Sequence, residues 1–498
     1  MSQLKSLAKD TVIYGISNML IRLLNVVIAT VYLTRIFHDD TDGSYGIYTL
    51  MYAYMALLLV LLTYGMETAF FRFGTKAENR TKAFSTGFVS LLVSTITVVA
   101  AFILFSDRLA GVLARENDGI YIVFFSLIIG FDVLSVLPYA RLRLERRPVR
   151  FAFYKVLNVV VFIVTLLFFL ELCPYLISHG YQWADRIYNP EHKLQYVFWA
   201  NLISSIFTFV LFTPLLLKTH LQFDRKVWNK MIEYALPLVV VGATGIFVLL
   251  AGQYLLPVWL PGDETEKFIQ EGIFGASVKI ATMLNLFTQV FKYASEPFFF
   301  RHKEKGGERK MYGTVAQLYT IAASLGFLVI MMYLDLFQYL VDANFRQGIH
   351  IIPVLLLAFV FFGVYLNFSI WYKLTDKTRI GAMISTSGMI VSLTANYILI
   401  PSLGIMGAAW ASLTAYFFLS TTAYLIGQKY YAIPFKPLRI LTYIAMAVAV
   451  YLLSDQMDAF FQWGMIVKLL MHGIWILIYL GLLLIIERKG LLLEVRKG

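Results

Sequence analysis

A few charged and amide side chains stand inside long apolar runs, and their spacing indicates what chemistry they could perform. Arg22 has Asn18 four residues before it and Asn25 three residues after it, so on a helix the three fall within about 60° of one another. In a bilayer, a charge at mid-depth costs about 2.5–3.5 kcal/mol even on insertion scales, so this face should meet protein or a water-filled cavity. A cation flanked by amides suits phosphate, pyrophosphate and sugar hydroxyls. The alternative is a buried ion pair with Asp132.

A second polar face is expected later in the chain, on a helix that is otherwise apolar. Its members fall within an arc of about 140° and are Lys279, Thr282, Asn285, Gln289 and Lys292. Lys292 lies near a helix end and could snorkel to the interface, whereas Lys279 lies deeper. We predict that both faces line a substrate-binding cavity that attracts an anion.

Asp132 is the acidic residue that lies well inside a predicted span. It is either a site for a coupling proton or cation, or a structural partner for Arg22 or a hydroxyl. Metal chemistry is not expected, because the chain has one cysteine, Cys173, and its seven histidines include no pair at ligand spacing. We therefore predict neither a metal site nor a cofactor.

The composition shows which surroundings these residues must have. Of 498 residues, 59% are apolar and only 14% are charged, and the mean hydropathy is +0.72. Soluble proteins carry about 25% charged residues, so a soluble globular protein is excluded. Disorder and nucleic-acid binding are excluded for the same reason, since the charge is too sparse to solvate a chain or to cover a phosphate track.

A bilayer span needs about 20 apolar residues, and this window predicts about fourteen spans. They cover roughly residues 12–33, 45–66, 84–106, 119–140, 151–170, 194–217, 233–256, 272–295, 312–334, 350–372, 380–400, 404–426, 438–454 and 465–486. Of the 42 Lys and Arg residues, 30 lie in the two tails and the even-numbered connections when Arg439, at the edge of the thirteenth span, is counted with them, and 7 lie in the odd-numbered connections. The positive-inside rule therefore predicts that both termini are cytoplasmic.

The sequence repeats itself at an offset of 229 residues. Gly43, Gly46, Tyr64, Glu67 and Arg72 fall on Gly272, Gly275, Tyr293, Glu296 and Arg301, and a weaker match at 232 residues places Arg141 on Lys373. Six spans separate the copies, so the two halves enter the membrane in the same direction, as in parallel repeats of transporters. We predict an N-terminal lobe (1–220), a C-terminal lobe (221–430) and two further helices (431–498). The repeated glutamates are expected to serve as a charge pair or helix-end contact.

Four segments together carry a resemblance to a known family. They are GSYGIYTLMYAY with LTYGMETAFFRF (43–73), YARLRLERRPVRFAFYKVLN (139–158), EGIFGASVKIATMLNLFTQVFKYASEPFFF (271–300) and NYILIPSLGIMGAAWASLTAYF (396–417). In order and spacing the sequence resembles bacterial polysaccharide exporters of the O-antigen flippase type. These belong to the multidrug/oligosaccharidyl-lipid/polysaccharide (MOP) exporter superfamily.

The resemblance implies an all-α polytopic membrane protein with two six-helix lobes around a cavity and two extra C-terminal helices. It also implies a non-enzymatic flippase in the bacterial cytoplasmic membrane that moves an undecaprenyl-pyrophosphate-linked oligosaccharide to the outer leaflet for O-antigen, capsule or exopolysaccharide. Implied partners are this lipid-linked oligosaccharide, membrane lipids, and a polymerase or ligase. Many relatives have an Asp-Arg pair in the seventh span, where this chain has Gly252 and Gln253.

Three other functions remain as alternatives at this point. A lipid II flippase would use the same cationic cavity, whereas a multidrug and toxin extrusion (MATE) antiporter binds organic cations and would need acids there. A membrane glycosyltransferase or ligase would need catalytic acids or histidines on an extracytoplasmic loop. The loop 172–193 holds His179, Asp185, Glu191 and His192, but it is too short to fold as a domain, so we predict no enzyme.

Overall fold

The computed structural model describes residues 24, 26–75, 77–113, 118–304, 309–375 and 377–487. These residues form helices and contain no β-strand. Seven long helices come first: α1 Ser44–Thr63, α2 Ala77–Leu104, α3 Gly119–Leu144, α4 Pro148–Leu167, α5 Lys193–Leu217, α6 Arg225–Trp259 and α7 Glu264–Glu304. Six follow: α8 Arg309–Met332, α9 Ile352–Phe368, α10 Thr378–Leu403, α11 Ile405–Tyr430, α12 Pro437–Phe461 and α13 Met465–Glu487.

Among the described residues, twelve helices are long and apolar enough to cross a membrane. They correspond to twelve of the predicted spans. The predicted twelfth span is also one helix, α11, of 26 residues, although it is not among those twelve. The predicted first span lies mostly outside the described residues, and only its end is seen as the helical turns Ile28–Tyr32 and Leu33–Ile36. The prediction of an all-α polytopic membrane protein is confirmed.

Packing divides the chain into two compact units. Unit 1 comprises residues up to 257 together with 262–272, and unit 2 comprises 258–261 and the residues from 273 onward. The units are defined by contacts and the lobes by the internal repeat, so the lobe boundaries at 220 and 430 stay predictions.

Glycines in the repeated segment allow close helix contacts within unit 1. Gly43 precedes α1 with a φ of 75°, and Gly65, just after α1, has a φ of 70°, which are backbone conformations that favour glycine. A Cβ atom on Gly46 would overlap the carbonyl group of Phe268 at the start of α7. Glycine at position 46 therefore lets α1 and the first turns of α7 approach backbone to backbone.

Aromatic and aliphatic side chains fill the end of unit 1 where the basic turn 141–150 lies. Phe70 packs edge-on against Phe84 with ring centroids 5.8 Å apart, and Phe84 stacks on Phe88 at 5.9 Å.

Asp224, just before α6, accepts a hydrogen bond from the Val227 amide at 2.9 Å and pairs with Lys82 at 2.7 Å. The hydrogen bonds from Lys82 and the Val227 amide lower the pKa of Asp224 to about 2. This charged cap fixes the start of α6 beside α2.

Polar and charged groups join the last two helices, α12 and α13, to each other at both ends, and one ion pair joins them to the end of α8. Lys468 of α13 lies 2.6 Å from Asp335, which follows α8, and His472 lies 2.7 Å from Asp458 of α12. At the opposite end, Glu487 accepts a hydrogen bond from Tyr443. Lys468, on a predicted membrane span, therefore takes part in an ion pair.

Candidate functional site

A line of polar side chains runs between α3, α4 and α5 in unit 1, and we call it the polar seam (Asp132, Lys155, Asn158, Asn201, Ser204, Ser205 and Thr208). Its clearest contact joins α5 to α3, where the Ser205 hydroxyl donates to the Asp132 carboxylate at 2.8 Å. Asn158 of α4 donates to the Thr208 hydroxyl at 2.8 Å and to the Ser204 carbonyl at 3.1 Å. The seam therefore links all three helices through side chains.

The members of the seam share one face of each helix. On α5 they recur at intervals of three and four residues, which places Asn201, Ser204, Ser205 and Thr208 in one row. Asn201 also donates to the Tyr52 hydroxyl of α1 at 2.6 Å. Apart from Asp132, the sequence analysis did not select these residues, although their helical spacing was visible in it.

Lys155 of α4 contacts an aromatic ring of α3. Its ammonium group lies 4.2 Å from the centroid of the Tyr139 ring, a cation–π distance. No Lys or Arg nitrogen of the described residues lies within ion-pair distance of Asp132, whose hydrogen-bond donor is the Ser205 hydroxyl. The sequence analysis considered Arg22 or a hydroxyl as the structural partner of Asp132. Within the described residues the partner is the Ser205 hydroxyl, and Arg22 lies outside them.

A second acid, which is fully buried, lies in unit 1. Glu271 of α7 is fully buried, and the Thr49 hydroxyl of α1 lies 3.3 Å from its carboxylate. The predicted spans left Glu271 just outside the membrane, because the apolar run begins after it. The structure places it within the longer helix α7, where it is buried, whereas Asp132 of α3 is only half-buried. Asp132 is therefore not the sole acid inside a spanning segment, and that expectation is corrected.

The predicted polar face of α7 is helical over its full length in unit 2. Asn285 is buried, and Gln289 donates to its side-chain oxygen at 3.4 Å. Thr282 bonds back to the Val278 carbonyl at 2.7 Å, which satisfies its hydroxyl within the helix. Lys279 and Lys292 are both half-buried. We refer to Lys279, Asn285, Gln289 and Lys292 as the cationic face of α7.

Lys292 lines a small recess in unit 2. The recess also contains Lys373, which follows α9, and has a volume of about 20 Å³, enough for one water molecule. Its wall includes Thr288, whose hydroxyl lies 2.8 Å from that of Tyr319. A Cβ atom on Gly363 would collide with this Tyr319 hydroxyl. The structure thus brings two cations of unit 2, from different helices, to one recess.

The repeated glutamates can be followed in one half only. Glu67 pairs with Arg143 in the basic turn after α3, and the Arg143 guanidinium lies 4.7 Å from the Phe71 ring centroid. Arg72 instead stacks 4.2 Å from the ring of Tyr234. The predicted charge pair exists for Glu67, whereas the Glu296 side chain lies outside the described residues.

The first predicted face, Asn18, Arg22 and Asn25, also lies outside the described residues. Its place in a cavity stays a prediction. Gln253, which stands where many relatives have a charged residue, is buried within α6.

No protein-family model matches the sequence, and no curated protein matches it. Solved structures do match. The lipid II flippase MurJ, in an inward closed conformation, is 14% identical with a TM-score of 0.65, over 96% of this chain and 99% of that chain. An inward-facing multidrug resistance MATE family transporter of the MOP superfamily is 14% identical with a TM-score of 0.56, over 82% of this chain and 97% of that chain.

A third match is the MATE multidrug transporter DinF-BH, which is 14% identical with a TM-score of 0.57. The match covers 85% of this chain and 95% of that chain. The similarity to MurJ extends over nearly the whole chain, whereas the two MATE structures leave more of it unmatched. At this level of identity the comparison concerns the fold. The chain is a multi-pass membrane protein whose fold is similar to those of MurJ and of MATE transporters.

Proposed function

We propose that this protein is a flippase that carries an undecaprenyl-pyrophosphate-linked oligosaccharide across the bacterial cytoplasmic membrane by alternating access. The observation that carries the proposal is the cationic face of α7. Two lysines and two amides follow one side of a spanning helix, where each charge is costly unless it serves a ligand or a partner. Fixed ammonium groups can neutralise a pyrophosphate, and amides can bond to sugar hydroxyls.

The polar groups of the two units support an anionic substrate. The lysines at 279 and 292 are half-buried in unit 2, whereas Asp132 and Glu271 in unit 1 accept hydrogen bonds from Ser205 and Thr49. The lysines offer the positive charge that a pyrophosphate needs, while each carboxylate already has a hydroxyl contact to a neighbouring helix. The charge bias of the connections supports cytoplasmic termini.

The test is a flipping assay with full-length protein in proteoliposomes. A fluorescent undecaprenyl-pyrophosphate oligosaccharide is supplied on one side, and a membrane-impermeant quencher reports its transfer. Lys279→Ala is expected to slow transfer by about tenfold or more, the loss of one charge-assisted contact of about 1.5–3 kcal/mol. The matched control is Lys310→Ala, which removes an exposed lysine at the start of α8. Equal rates for both variants would refute the role of the cationic face.

Lipid II transport is the second candidate, favoured by the extent of the similarity to the lipid II flippase MurJ. Both substrates carry a polyprenyl pyrophosphate, so the assay separates them by the attached group. We expect faster transfer for the oligosaccharide without a peptide. Faster transfer of lipid II would replace the first candidate with the second, and transport of an organic cation alone would favour antiport.

A further inference from the structure

We propose that unit 1 has a separate binding site for the headgroup of an anionic phospholipid, at the end where α3, α4 and α5 meet the basic turn. The site is a recess of about 350 Å³, which we call the basic recess. Its polar lining comprises Arg141, Glu145, Arg147, Arg150, Tyr154 and Lys218. Four cations thus surround one carboxylate in a space large enough for a phosphodiester headgroup.

Glu145 holds two of the arginines in place. It lies 2.8 Å from Arg141 and 3.2 Å from Arg147, and its side chain is only 14% exposed. Arg141 is fixed further by a 2.9 Å hydrogen bond to the Thr219 hydroxyl and by the Phe84 ring at 4.9 Å. One carboxylate cannot neutralise two arginines, so a positive charge remains on a pre-organised wall.

The other two cations add to this charge. Arg150 and Lys218 are exposed, and within the part of the chain that the structure describes neither has an acidic group within ion-pair distance. They come from different helices, one from the first turn of α4 and the other from the residue after α5. An anion between them would gain two charge-assisted contacts without breaking an existing pair.

The surroundings favour a lipid over a soluble anion. A shallower recess of about 750 Å³ adjoins the first and shares Arg147, Arg150 and Tyr154 with it, but it is also lined by Val149 and Phe153. Val149 is 71% exposed and Phe153 is 58% exposed. An exposed apolar wall beside a cationic pocket fits acyl chains below a phosphate.

This wall continues along α4. Val149, Phe153, Val156, Val160 and Val164 are all exposed and recur at three- and four-residue intervals. Such a row on a spanning helix faces lipid, because an aqueous cavity would leave these side chains in water. The positive-inside rule places this end of the helices in the cytoplasmic leaflet, where basic pockets between spans bind anionic headgroups.

The recess is independent of the proposed transport site. All its residues belong to unit 1, and none belongs to the cationic face of α7. Anionic lipid at this position would hold the ends of α3, α4 and α5 together through one headgroup.

Native mass spectrometry of the full-length, delipidated protein tests the site. The protein is titrated with phosphatidylglycerol and with phosphatidylcholine of the same acyl chains. Wild-type protein is expected to bind the anionic lipid at least about 30-fold more tightly. The double variant Arg150→Gln/Lys218→Gln removes two exposed cations. Because each cation is expected to make one contact with the headgroup, the two losses together should weaken phosphatidylglycerol binding by about 30-fold. Binding of phosphatidylcholine should be unchanged.

The matched control is Lys226→Gln/Lys230→Gln, which removes the same charge from exposed positions on α6 and should leave phosphatidylglycerol binding unchanged. Each single variant, Arg150→Gln and Lys218→Gln, provides an intermediate loss should the double variant fold poorly. Equal binding of the two lipids by the wild-type protein, or equal losses in both double variants, would overturn the proposal.

Two competition arms identify the source of the phosphate. Glycerol phosphate at the lipid concentration should not displace phosphatidylglycerol, and displacement would show a soluble-anion site. Undecaprenyl pyrophosphate should bind equally well to the wild-type and Arg150→Gln/Lys218→Gln proteins. A selective loss of undecaprenyl pyrophosphate binding would assign the recess to the transport substrate and overturn the lipid site.

Discussion

The polar seam of unit 1 and the cationic face of α7 in unit 2 both place charge inside membrane-spanning helices, but they satisfy it differently. In the seam, Asp132 and Asn158 bond to side chains of α5 at 2.8 Å, so three helices share the polar groups. On α7, the amides of Asn285 and Gln289 bond to each other along one helix. A seam bonded across helices favours a structural or coupling role, whereas a face along one helix favours ligand contact.

This difference predicts which site should fail in transport and which should fail in stability. A buried polar group whose partner is removed costs about 1–3 kcal/mol, and more when it is charged. A cation that mainly serves to bind the substrate should cost less stability when it is removed from the ligand-free protein.

The largest expected effect comes from reversing a charge on the cationic face. Lys279→Glu places a carboxylate where the pyrophosphate is proposed to bind, and we expect transport in proteoliposomes to fall by about 100-fold or more, through repulsion added to a lost contact. The thermal unfolding temperature should stay within about 2 °C of the wild-type value. Lys310→Glu is the control. Normal transport by Lys279→Glu would remove the distinction between the two regions.

The next effect concerns stability in the seam. Asp132→Ala leaves the Ser205 hydroxyl without its acceptor and Lys155 without a nearby carboxylate, and we expect unfolding to become easier by about 2 kcal/mol. Asp132→Asn keeps an acceptor for the Ser205 hydroxyl and should therefore lose less unfolding free energy than Asp132→Ala. Denaturation in detergent measures both variants. Unchanged stability in both would contradict a structural seam.

Asp132→Asn also separates coupling from structure. Should Asp132 carry a coupling proton or cation, this variant would bind substrate normally, but its transport would no longer respond to an imposed ion gradient. A structural role instead predicts that the gradient dependence survives. Flipping assays with and without a proton or sodium gradient distinguish the two, with Ser205→Ala as a matched change that keeps the carboxylate.

A smaller loss is expected from Asn158→Leu. The substitution keeps similar volume but removes hydrogen bonds to the Ser204 carbonyl and the Thr208 hydroxyl. Because each of these acceptors also bonds within α5, the expected loss is about 1 kcal/mol, below that of Asp132→Ala. If Asn158→Leu lost more unfolding free energy than Asp132→Ala, Asn158 rather than Asp132 would make the larger contribution to the stability of the seam.

The smallest effect lies at the edge of the bundle, before α1. Burial and a hydrogen bond shared with Asp42 raise the pKa of Asp40 from 3.8 to about 7. The folded protein therefore favours the protonated acid, so this stabilising contribution is complete below about pH 4 and is lost as the pH rises through about 7. Between pH 6 and 8 the unfolding temperature should fall by about 2 °C more in the wild type than in Asp40→Asn. An equal fall in unfolding temperature in the wild type and in Asp40→Asn would contradict a raised pKa of Asp40.

Much of the fold follows from the sequence, because apolar runs of span length must form helices in a bilayer. The helix ends were less predictable. Glu271 was placed outside the membrane since the hydropathy of its neighbours drops there, yet packing against α1 extends α7 and buries it. Polar helix ends buried by tertiary contacts have no signature in a hydropathy window.

The candidate site was predicted in part. The face of α7 was visible because charged and amide residues recur on one side of an apolar helix. The partners of Asp132 and Lys155 were not, since periodicity gives the face that a residue occupies but not the helix that it meets. Ser205 and Tyr139 could be identified only once α3, α4 and α5 were placed together.

Cysteine accessibility tests the proposed transport path most directly. Cysteines replace Arg22 and Lys279 singly in a background in which the buried Cys173 is substituted, and a cysteine at Val164 on the exposed face of α4 serves as the lipid-facing control. A small charged thiol reagent should label positions 22 and 279 from the cytoplasmic side in one state and from outside in the other, and undecaprenyl-pyrophosphate glycan should protect both. If either cysteine is as unreactive as that at position 164 in every condition, the shared anion-binding path is wrong.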